Sequence, residues 1–339
     1  MGAFHTNSFL KGASQNFANI NEAVRGDYDL LIAATSWDSR CLSLTQASHL
    51  KAHFGINVIF DMKDDIGLRG KHDRQVTGYL RSQSTEFSQV TGKSTDISEL
   101  WIRLYSLIRQ IFATSNTPLK VFLDLSTCPR VYALAIVGAC IRAGIASHIT
   151  IFYAEGVYKR KPNSAGDTYA FSSGSWEIVQ VPFFEGEFDP GKRKYLLVSV
   201  GFEGLKTLQV VNKEDPDRIS ILFPDPGVIG KYAKETKAAN RELLTLYKVP
   251  SEQIIRAAAG DAIAAWKALD TASVENPEAE NTSYLCCGTK PHAIALGLRA
   301  LTIGYPAVLY RVPERHEVLE VLPSGKFWLF EIEDLSSIP

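Results

Sequence analysis

The chain has little of what a secreted, membrane-spanning or DNA-coating protein needs. Its 5 cysteines in 339 residues are too few for a disulfide framework, which predicts a reducing, cytoplasmic location. Its apolar runs fall short of the roughly 20 residues of a membrane-spanning helix, so no membrane association is expected. Its formal net charge of −1 argues against a broad basic surface and against duplex DNA binding by this chain alone. The His and Cys spacing matches no zinc site, and no metal or cofactor is predicted.

The remaining composition is that of a two-domain globular protein. Hydrophobic residues make up 45% and charged residues 22% of the chain, and its length suits two domains of about 100–200 residues. A short Gly- and Pro-containing acidic stretch divides the sequence near its middle. The predicted organisation is therefore a polar lead-in over 1–27, a first unit over 28–184, a linker over 185–192 and a second unit over 193–339.

The two predicted units look like copies of one α/β unit. Short segments match in the same order at offsets of 165, 163 and 162 residues, and the matched pairs are Trp37 with Phe202, Val58 with Ile221, and Thr127 with Thr289. Three matches in order at a nearly constant offset are hard to obtain by chance. An internal duplication, with the copies related by a pseudo-two-fold axis, is the simplest explanation.

Apolar strands that alternate with helical segments predict two tandem Rossmann-like α/β units with mainly parallel sheets. The predicted strands are 30–35, 58–62, 119–125 and 149–153, then 195–200, 219–223, 254–257, 284–287 and 307–310. The predicted helices are 18–24, 41–54, 98–113, 129–143, 232–247, 261–269 and 293–303, with a charged loop or irregular helix start over 63–78. A β-hairpin is expected after each unit, from 167–169 with 176–182 and from 317–322 with 326–332.

Four loops follow predicted strands, and α/β sheets bind ligands at such strand ends. The candidate ligand-binding residues in the first unit are Ser36, Trp37, Asp38, Arg40, Thr127 and Arg130. Those in the second unit are Gly201, Phe202, Gly288, Thr289, Lys290 and His292. The sequence identifies no catalytic residue.

The loop around Lys290 has the chemistry of an anion site. Gly288 allows a close turn, Thr289 suits a helix N-cap, and Pro291 suits the first helical turn. The N–H groups and dipole of a helix start favour an anion, and Lys290 adds a full charge. The alternative is a helix start without a ligand. The P-loop spacing is absent, so ATP hydrolysis of that type is not expected.

Arginine residues give the strand-end loops of the first unit a positive charge similar to that of the Lys290 loop. Arg130 takes the position of His292, and a guanidinium suits bidentate recognition of phosphate or carboxylate. Arg40 lies in the opposing loop close to Asp38. The alternative is that an Asp38–Arg40 or an Asp124–Arg130 ion pair only closes the loop.

The aromatic and reactive side chains of these loops also have two interpretations. Trp37 and Phe202 could stack on a base, but an aromatic residue after a buried strand is more often core. Cys128 or Cys287 could be a nucleophile near a helix start, and His292 could be a general base. No dedicated acid–base pair accompanies them in the sequence, which favours the structural interpretation.

The order of an apolar strand, Gly288-Thr289-Lys290 and a small-residue helix resembles CRISPR-associated Rossmann-fold sensor domains. Members of that family commonly bind cyclic oligonucleotides across a two-fold or pseudo-two-fold axis. The resemblance implies a pocket lined by the loop after the first strand and by the Gly-Thr-Lys loop. It implies the residues Gly201, Phe202, Gly288, Thr289 and Lys290, with Ser36, Trp37, Thr127 and Arg130 at the matching places of the first unit.

Two functions compete on this evidence. The first is a non-catalytic sensor or recognition subunit of a prokaryotic antiphage defence system. It would bind a nucleotide signal, such as a cyclic oligonucleotide, or a partner at the cleft between the units. Because the sequence has no nuclease signature, its effector would be a separate protein. The second is an enzyme acting on a nucleotide or phosphorylated metabolite, such as a phosphodiesterase or a ring-nuclease-like hydrolase.

Overall fold

A computed structural model of the chain describes residues 10–61, 67–158, 169, 171–319 and 321–335. It confirms the α/β class, because these residues form two mainly parallel sheets flanked by helices. Two compact units divide the chain: one combines Met1–Gly156 with Glu320–Pro339, and the other is Val157–Leu319. Within the described residues, no helix is both long and apolar enough to cross a membrane.

The elements of the first unit alternate along the chain as expected for a Rossmann-like fold. Its strands are β1 (Leu10–Asn16), β2 (Arg25–Thr35), β3 (His49–Asp61), β4 (Ser84–Lys93), β5 (Leu119–Asp124) and β6 (Ala146–Tyr158), joined by the last strand of the chain, β13 (Val321–Ile332). Its helices are α1 (Ile20–Ala23), α2 (Leu68–Gln83), α3 (Ile97–Ser115) and α4 (Arg130–Arg142). The sheet order is β1-β13-β6-β5-β2-β3-β4.

The second unit repeats this alternation. Its strands are β7 (Ser172–Gln180), β8 (Arg193–Ser199), β9 (Arg218–Pro224), β10 (Ile254–Ala257), β11 (Glu280–Cys286) and β12 (Ala307–His316). Its helices are α5 (Gly204–Glu214), α6 (Gly230–Ala239), α7 (Arg241–Leu246), α8 (Ala262–Ala272) and α9 (Lys290–Ile303). The sheet order is β10-β9-β8-β11-β12-β7.

The two sheets have the same strand order over six positions. β13-β6-β5-β2-β3-β4 in the first corresponds to β7-β12-β11-β8-β9-β10 in the second. The strands with Leu31 and Leu197 therefore occupy equivalent places, as the duplication requires. The core-facing residues of these two strands also match at the offset of 165 residues. Leu31 and Ala33 face a core that includes residues of α2, while Leu196 and Val198 face the corresponding core with residues of α5 and α7.

The connection after the first central strand differs from the predicted helix over 41–54. Short 3-10 turns cover Ser39–Leu42 and Leu44–Gln46, and β3 already begins at His49. Leu50 and Ala52 are buried while their neighbours Lys51 and His53 are exposed, a period of two that belongs to a strand. The charged stretch over 63–78 forms most of α2 from Leu68 onward, and its start at 63–66 lies outside the described residues.

The hairpin expected from 317–322 with 326–332 is wrong, because Val321–Ile332 form the single strand β13. β7 pairs antiparallel with β12, and β13 pairs antiparallel with β1 and neighbours β6. β12 and β13 thus lie in different sheets, and the last strand belongs to the first unit rather than to the second. The proposed partner of β7 over 167–169 falls largely outside the described residues. Periodicity locates a strand, but its pairing partner depends on contacts far apart in the sequence.

Candidate functional site

The four predicted loops lie at the carboxyl ends of the central strands. In the first unit they follow β2 and β5, and in the second they follow β8 and β11. β2 lies between β5 and β3, and β8 lies between β11 and β9, so successive connections leave in opposite directions. Each pair of loops therefore flanks the point where the strand order reverses, the usual ligand position in open α/β sheets.

In the second unit the two loops touch through their backbones. The N–H of Cys287 donates to the Ser199 carbonyl at 3.1 Å, and the N–H of Gly288 donates to Ser199 Oγ at 3.0 Å. A Cβ at position 288 would lie 2.9 Å from the Val200 carbonyl oxygen. Glycine is needed at 288 because a side chain would collide with the neighbouring strand.

The two glycines after β8 lie too close to neighbouring backbone to carry a side chain. A Cβ at Gly204 would lie 1.8 Å from the carbonyl oxygen of Ala239, and one at Gly201 would lie 2.9 Å from that of Cys287. Asn240 Nδ2 donates to the Gly201 carbonyl at 2.7 Å. Asn240 is therefore part of the loop's support. The sequence does not reveal this role, because Asn240 lies 39 positions away.

The start of α9 has the expected cap. Thr289 Oγ1 accepts the N–H of His292 at 3.4 Å, and Lys290 is the half-buried first residue of the helix. His292 is completely buried, and its Nε2 lies 3.1 Å from the Ala258 carbonyl oxygen. Burial lowers the pKa of His292 to about 4, so its ring is neutral near pH 7. This environment makes His292 a packing residue at the back of the site.

Phe202 belongs to an aromatic cluster composed of Tyr158, Tyr169, Phe171, Phe202 and Tyr232. Its ring centroid lies 4.6 Å from that of Tyr169 and 5.2 Å from that of Tyr232. Burial raises the pKa of Tyr232 to about 12. These contacts favour the interpretation of Phe202 as a core residue. Its side chain is half-buried.

In the first unit, Asp38 and Arg40 form the loop-closing ion pair. Arg40 Nη2 lies 2.6 Å from Asp38 Oδ2, and Arg40 Nε contacts both carboxylate oxygens at 3.0 and 3.1 Å. Their side chains are only 6% and 9% exposed. The Arg40 backbone N–H also donates to Asp38 Oδ1 at 3.0 Å, so the pair stabilises its own turn.

The other residues near β2 are also held by hydrogen bonds. Thr127 Oγ1 donates to the Ala34 carbonyl at 2.6 Å and ties the loop after β5 to β2. His72 Nδ1 lies 2.8 Å from the Ser36 carbonyl oxygen, and the Asp38 N–H donates to Ser36 Oγ at 3.3 Å. His72 was missed because it lies in the stretch predicted as a charged loop or an irregular helix start, whereas it is a buried residue of α2.

Two predicted residues lie at the rim of the same edge. Trp37 is half-buried directly after β2, and Arg130 is the half-buried first residue of α4. Arg130 is thus the first residue of its helix, as Lys290 is of α9, although the sequence match places Arg130 opposite His292. Their helices begin beside the reversal point of their own sheets.

Burial keeps at least two of the five cysteines in the neutral thiol form. Burial raises the pKa of Cys41 and of Cys140 to about 12. Cys128 is buried and Cys287 is half-buried. Within the part of the chain that the structure describes, no group of three or more His, Cys, Asp or Glu side chains could hold a metal ion.

No protein-family model matches the chain, and no curated protein matches it. Among solved structures, it is similar to the cytoplasmic domain of a prokaryotic cation chloride cotransporter. The identity is 9%, with 85% of this chain and 96% of that chain covered and a TM-score of 0.25. A functionally unknown protein from Pseudomonas aeruginosa is similar at 8% identity, with 86% and 94% covered and a TM-score of 0.25. Likeness at this TM-score carries no argument about function.

Proposed function

We propose that this protein is a recognition subunit that binds a phosphate-containing nucleotide signal at the strand-end site of its second unit. The observation that carries the proposal is the position of Lys290. It is the first residue of the 14-residue helix α9, directly after the glycine-threonine turn that contacts the end of β8. A lysine at a helix start beside the reversal point combines a full charge with backbone donors and a helix dipole.

The environment of the candidate acid and base groups favours recognition over turnover. His292 is buried and neutral, and Asp38 is held by Arg40. Thr127 donates its hydroxyl hydrogen to a backbone carbonyl. A general base must reach the proton that it removes, and both carboxylate oxygens of Asp38 already accept hydrogen bonds from the Arg40 guanidinium.

The resemblance to CRISPR-associated sensor domains supports the ligand class and the biological setting. A cyclic oligonucleotide signal in prokaryotic antiviral defence fits it, with the response produced by a separate effector protein. The first unit offers an equivalent candidate contact in Arg130, which starts α4 as Lys290 starts α9. The equivalent strand orders make these two positions comparable.

The test is calorimetric titration of the protein with a panel of cyclic and linear oligonucleotides, followed by chromatography of the recovered ligand. We expect one member to bind and to be recovered unchanged. Losing a charge-assisted contact costs about 1.5–3 kcal/mol, so Lys290→Ala and Arg130→Ala should each weaken binding roughly ten- to a hundredfold. Lys267→Ala, an exposed lysine on α8, is the matched control and should bind as the unmodified protein does.

Three results would contradict the proposal. Unchanged affinity in both Lys290→Ala and Arg130→Ala would remove the phosphate site. Conversion of the bound oligonucleotide would favour the hydrolase alternative. Loss of folding in both variants would return Lys290 and Arg130 to the role of helix-start residues.

A further inference from the structure

A second cluster of charged side chains lies in the second unit, between the start of α5 and the strands β7 and β12. We call Ser172, Glu203, Lys206 and Arg311 the Arg311 cluster. Ser172 is the first residue of β7 and Arg311 lies within β12, while Glu203 and Lys206 lie at the start of α5. None of these residues was singled out by the sequence, because three separate chain segments bring them together.

Arg311 is the unusual member of the cluster. It is 8% exposed, and its Nη1 donates to Ser172 Oγ at 3.0 Å. Its Nε is fully buried and has no hydrogen-bond partner among the described residues. Nor does any described carboxylate lie within ion-pair distance of it, whereas the buried Arg40 and Arg299 are both paired with carboxylates. A buried guanidinium is normally paired, because removing its charge from water is costly.

The rest of the cluster does not neutralise Arg311. The single carboxylate, Glu203, is occupied by other donors. Its Oε1 accepts from Lys206 Nζ at 2.5 Å, from Ser172 Oγ at 2.7 Å and from the Phe171 N–H at 3.1 Å. Lys206 Nζ lies 3.2 Å from Ser172 Oγ, the same oxygen that Arg311 contacts. Two cations and one carboxylate therefore meet at one hydroxyl, which leaves one positive charge uncompensated among the residues that the structure describes.

The geometry points to an oxyanion site in which the phosphate or carboxylate group of a small molecule binds to Arg311. The ammonium group of Lys206, whose donors are held by Ser172 and Glu203, adds positive charge beside it. Such a group supplies the missing negative charge and accepts hydrogen bonds from the unused guanidinium donors. Trp176 forms an aromatic wall beside it, with Arg311 Cζ 5.9 Å and Lys213 Nζ 5.3 Å from the ring centroid. None of the four residues belongs to the loop that contains Lys290, and the inference does not rest on the proposed nucleotide function.

The probes are inorganic phosphate and malonate, titrated calorimetrically at constant ionic strength into the full chain. We expect saturable binding of one probe or both, and the preferred probe tells phosphate from carboxylate. Arg311→Gln and Lys206→Gln should each weaken binding roughly ten- to a hundredfold. The matched control is Arg315→Gln, on the same strand, whose side chain is 67% exposed and paired with Glu314. It should leave binding unchanged.

The inference is overturned if neither probe binds saturably, or if both bind Arg311→Gln as tightly as the unmodified protein. If Arg311→Gln does not fold, Lys206→Gln and Arg311→Lys are measured instead. Unchanged affinity for the probes in both of these variants also overturns the inference. Lys290→Ala separates this site from the proposed nucleotide site. Phosphate binding that is retained in Lys290→Ala supports the Arg311 site. Phosphate binding that is lost in Lys290→Ala but retained in Arg311→Gln refutes it.

Discussion

Replacing Gly204 with alanine tests whether the loop after β8 depends on backbone contact with the α6–α7 junction. Gly204 is the first residue of α5, and a Cβ there would lie 1.8 Å from the Ala239 carbonyl oxygen and 2.9 Å from the Asn240 nitrogen. Ordinary contacts of this kind begin near 3.4 Å, so the junction must move by more than an ångström. Overpacking of this kind costs about 1–3 kcal/mol.

Two smaller effects bear on the net result. Alanine is favoured over glycine in helices by about 1 kcal/mol at interior positions, and by less at a first residue. Movement of Asn240 endangers its hydrogen bond to the Gly201 carbonyl, worth about 0.5–1.5 kcal/mol. The gain in helix propensity and the loss of the hydrogen bond nearly cancel. The steric cost therefore determines the change in the free energy of unfolding. We expect Gly204→Ala to lower the free energy of unfolding by about 1–3 kcal/mol.

The chain provides a matched control for this substitution. Gly230 is the first residue of α6, and a Cβ there would meet no atom within 4 Å. Gly230→Ala should therefore be neutral or slightly stabilising. Urea denaturation followed by circular dichroism compares the two variants with the unmodified protein. A Gly204→Ala protein as stable as Gly230→Ala would refute the steric argument.

Three further perturbations test the groups around the strand ends. Arg40→Ala should lower the free energy of unfolding by about 3–5 kcal/mol in thermal denaturation, because it leaves the Asp38 carboxylate buried without its partner; a loss below 1 kcal/mol would show that the pair is solvated. His292 binds a proton near pH 6.5 when unfolded but only near pH 4 when folded, so stability should fall by up to about 3 kcal/mol as pH drops through this window. His292→Gln should flatten that part of the urea-derived pH profile, and an unchanged slope would contradict the assignment. Cys41 and Cys140 should resist alkylation by iodoacetamide at pH 8 in the native protein, because burial raises the pKa of both thiols to about 12. Alkylation of either one, detected by peptide mass mapping, would contradict their burial.

The buried parallel strands could be located from the sequence because burial on both faces requires continuous apolar runs. Segments 30–35, 119–125 and 195–200 lie within or overlap β2, β5 and β8. The amphipathic segment 98–113 became α3, where Asp96 caps the helix by accepting the N–H of Glu99 at 3.2 Å. The edge strand β4 was missed, since only Val90 is fully buried along it and the remaining residues are polar or half-exposed. Its strand conformation comes from pairing with β3.

The loops of the candidate site were predictable, but their supporting side chains were not. A loop is found by its place after an apolar strand, which is local information. His72 in α2 and Asn240 at the α6–α7 junction support those loops from 36 and 39 positions away, and Arg311 reaches Ser172 across 139 positions. The sequence shows no local pattern for such contacts. Buried polar residues far apart in the chain become recognisable only once their hydrogen-bond partners are known.

The two units share a strand order but hold the first of their strand-end loops in different ways. In the first unit, 3-10 turns follow β2, and the buried Asp38–Arg40 pair closes the loop. In the second unit, helix α5 follows β8, and backbone contacts at Gly201 and Gly204 hold the loop. An ion pair is present at both loops, but the side chains of Arg40 and Asp38 are 6% and 9% exposed, whereas those of Lys206 and Glu203 are each 19% exposed. Both proposals lie in the second unit, where Lys206 lies in the first turn of α5 and Lys290 begins α9.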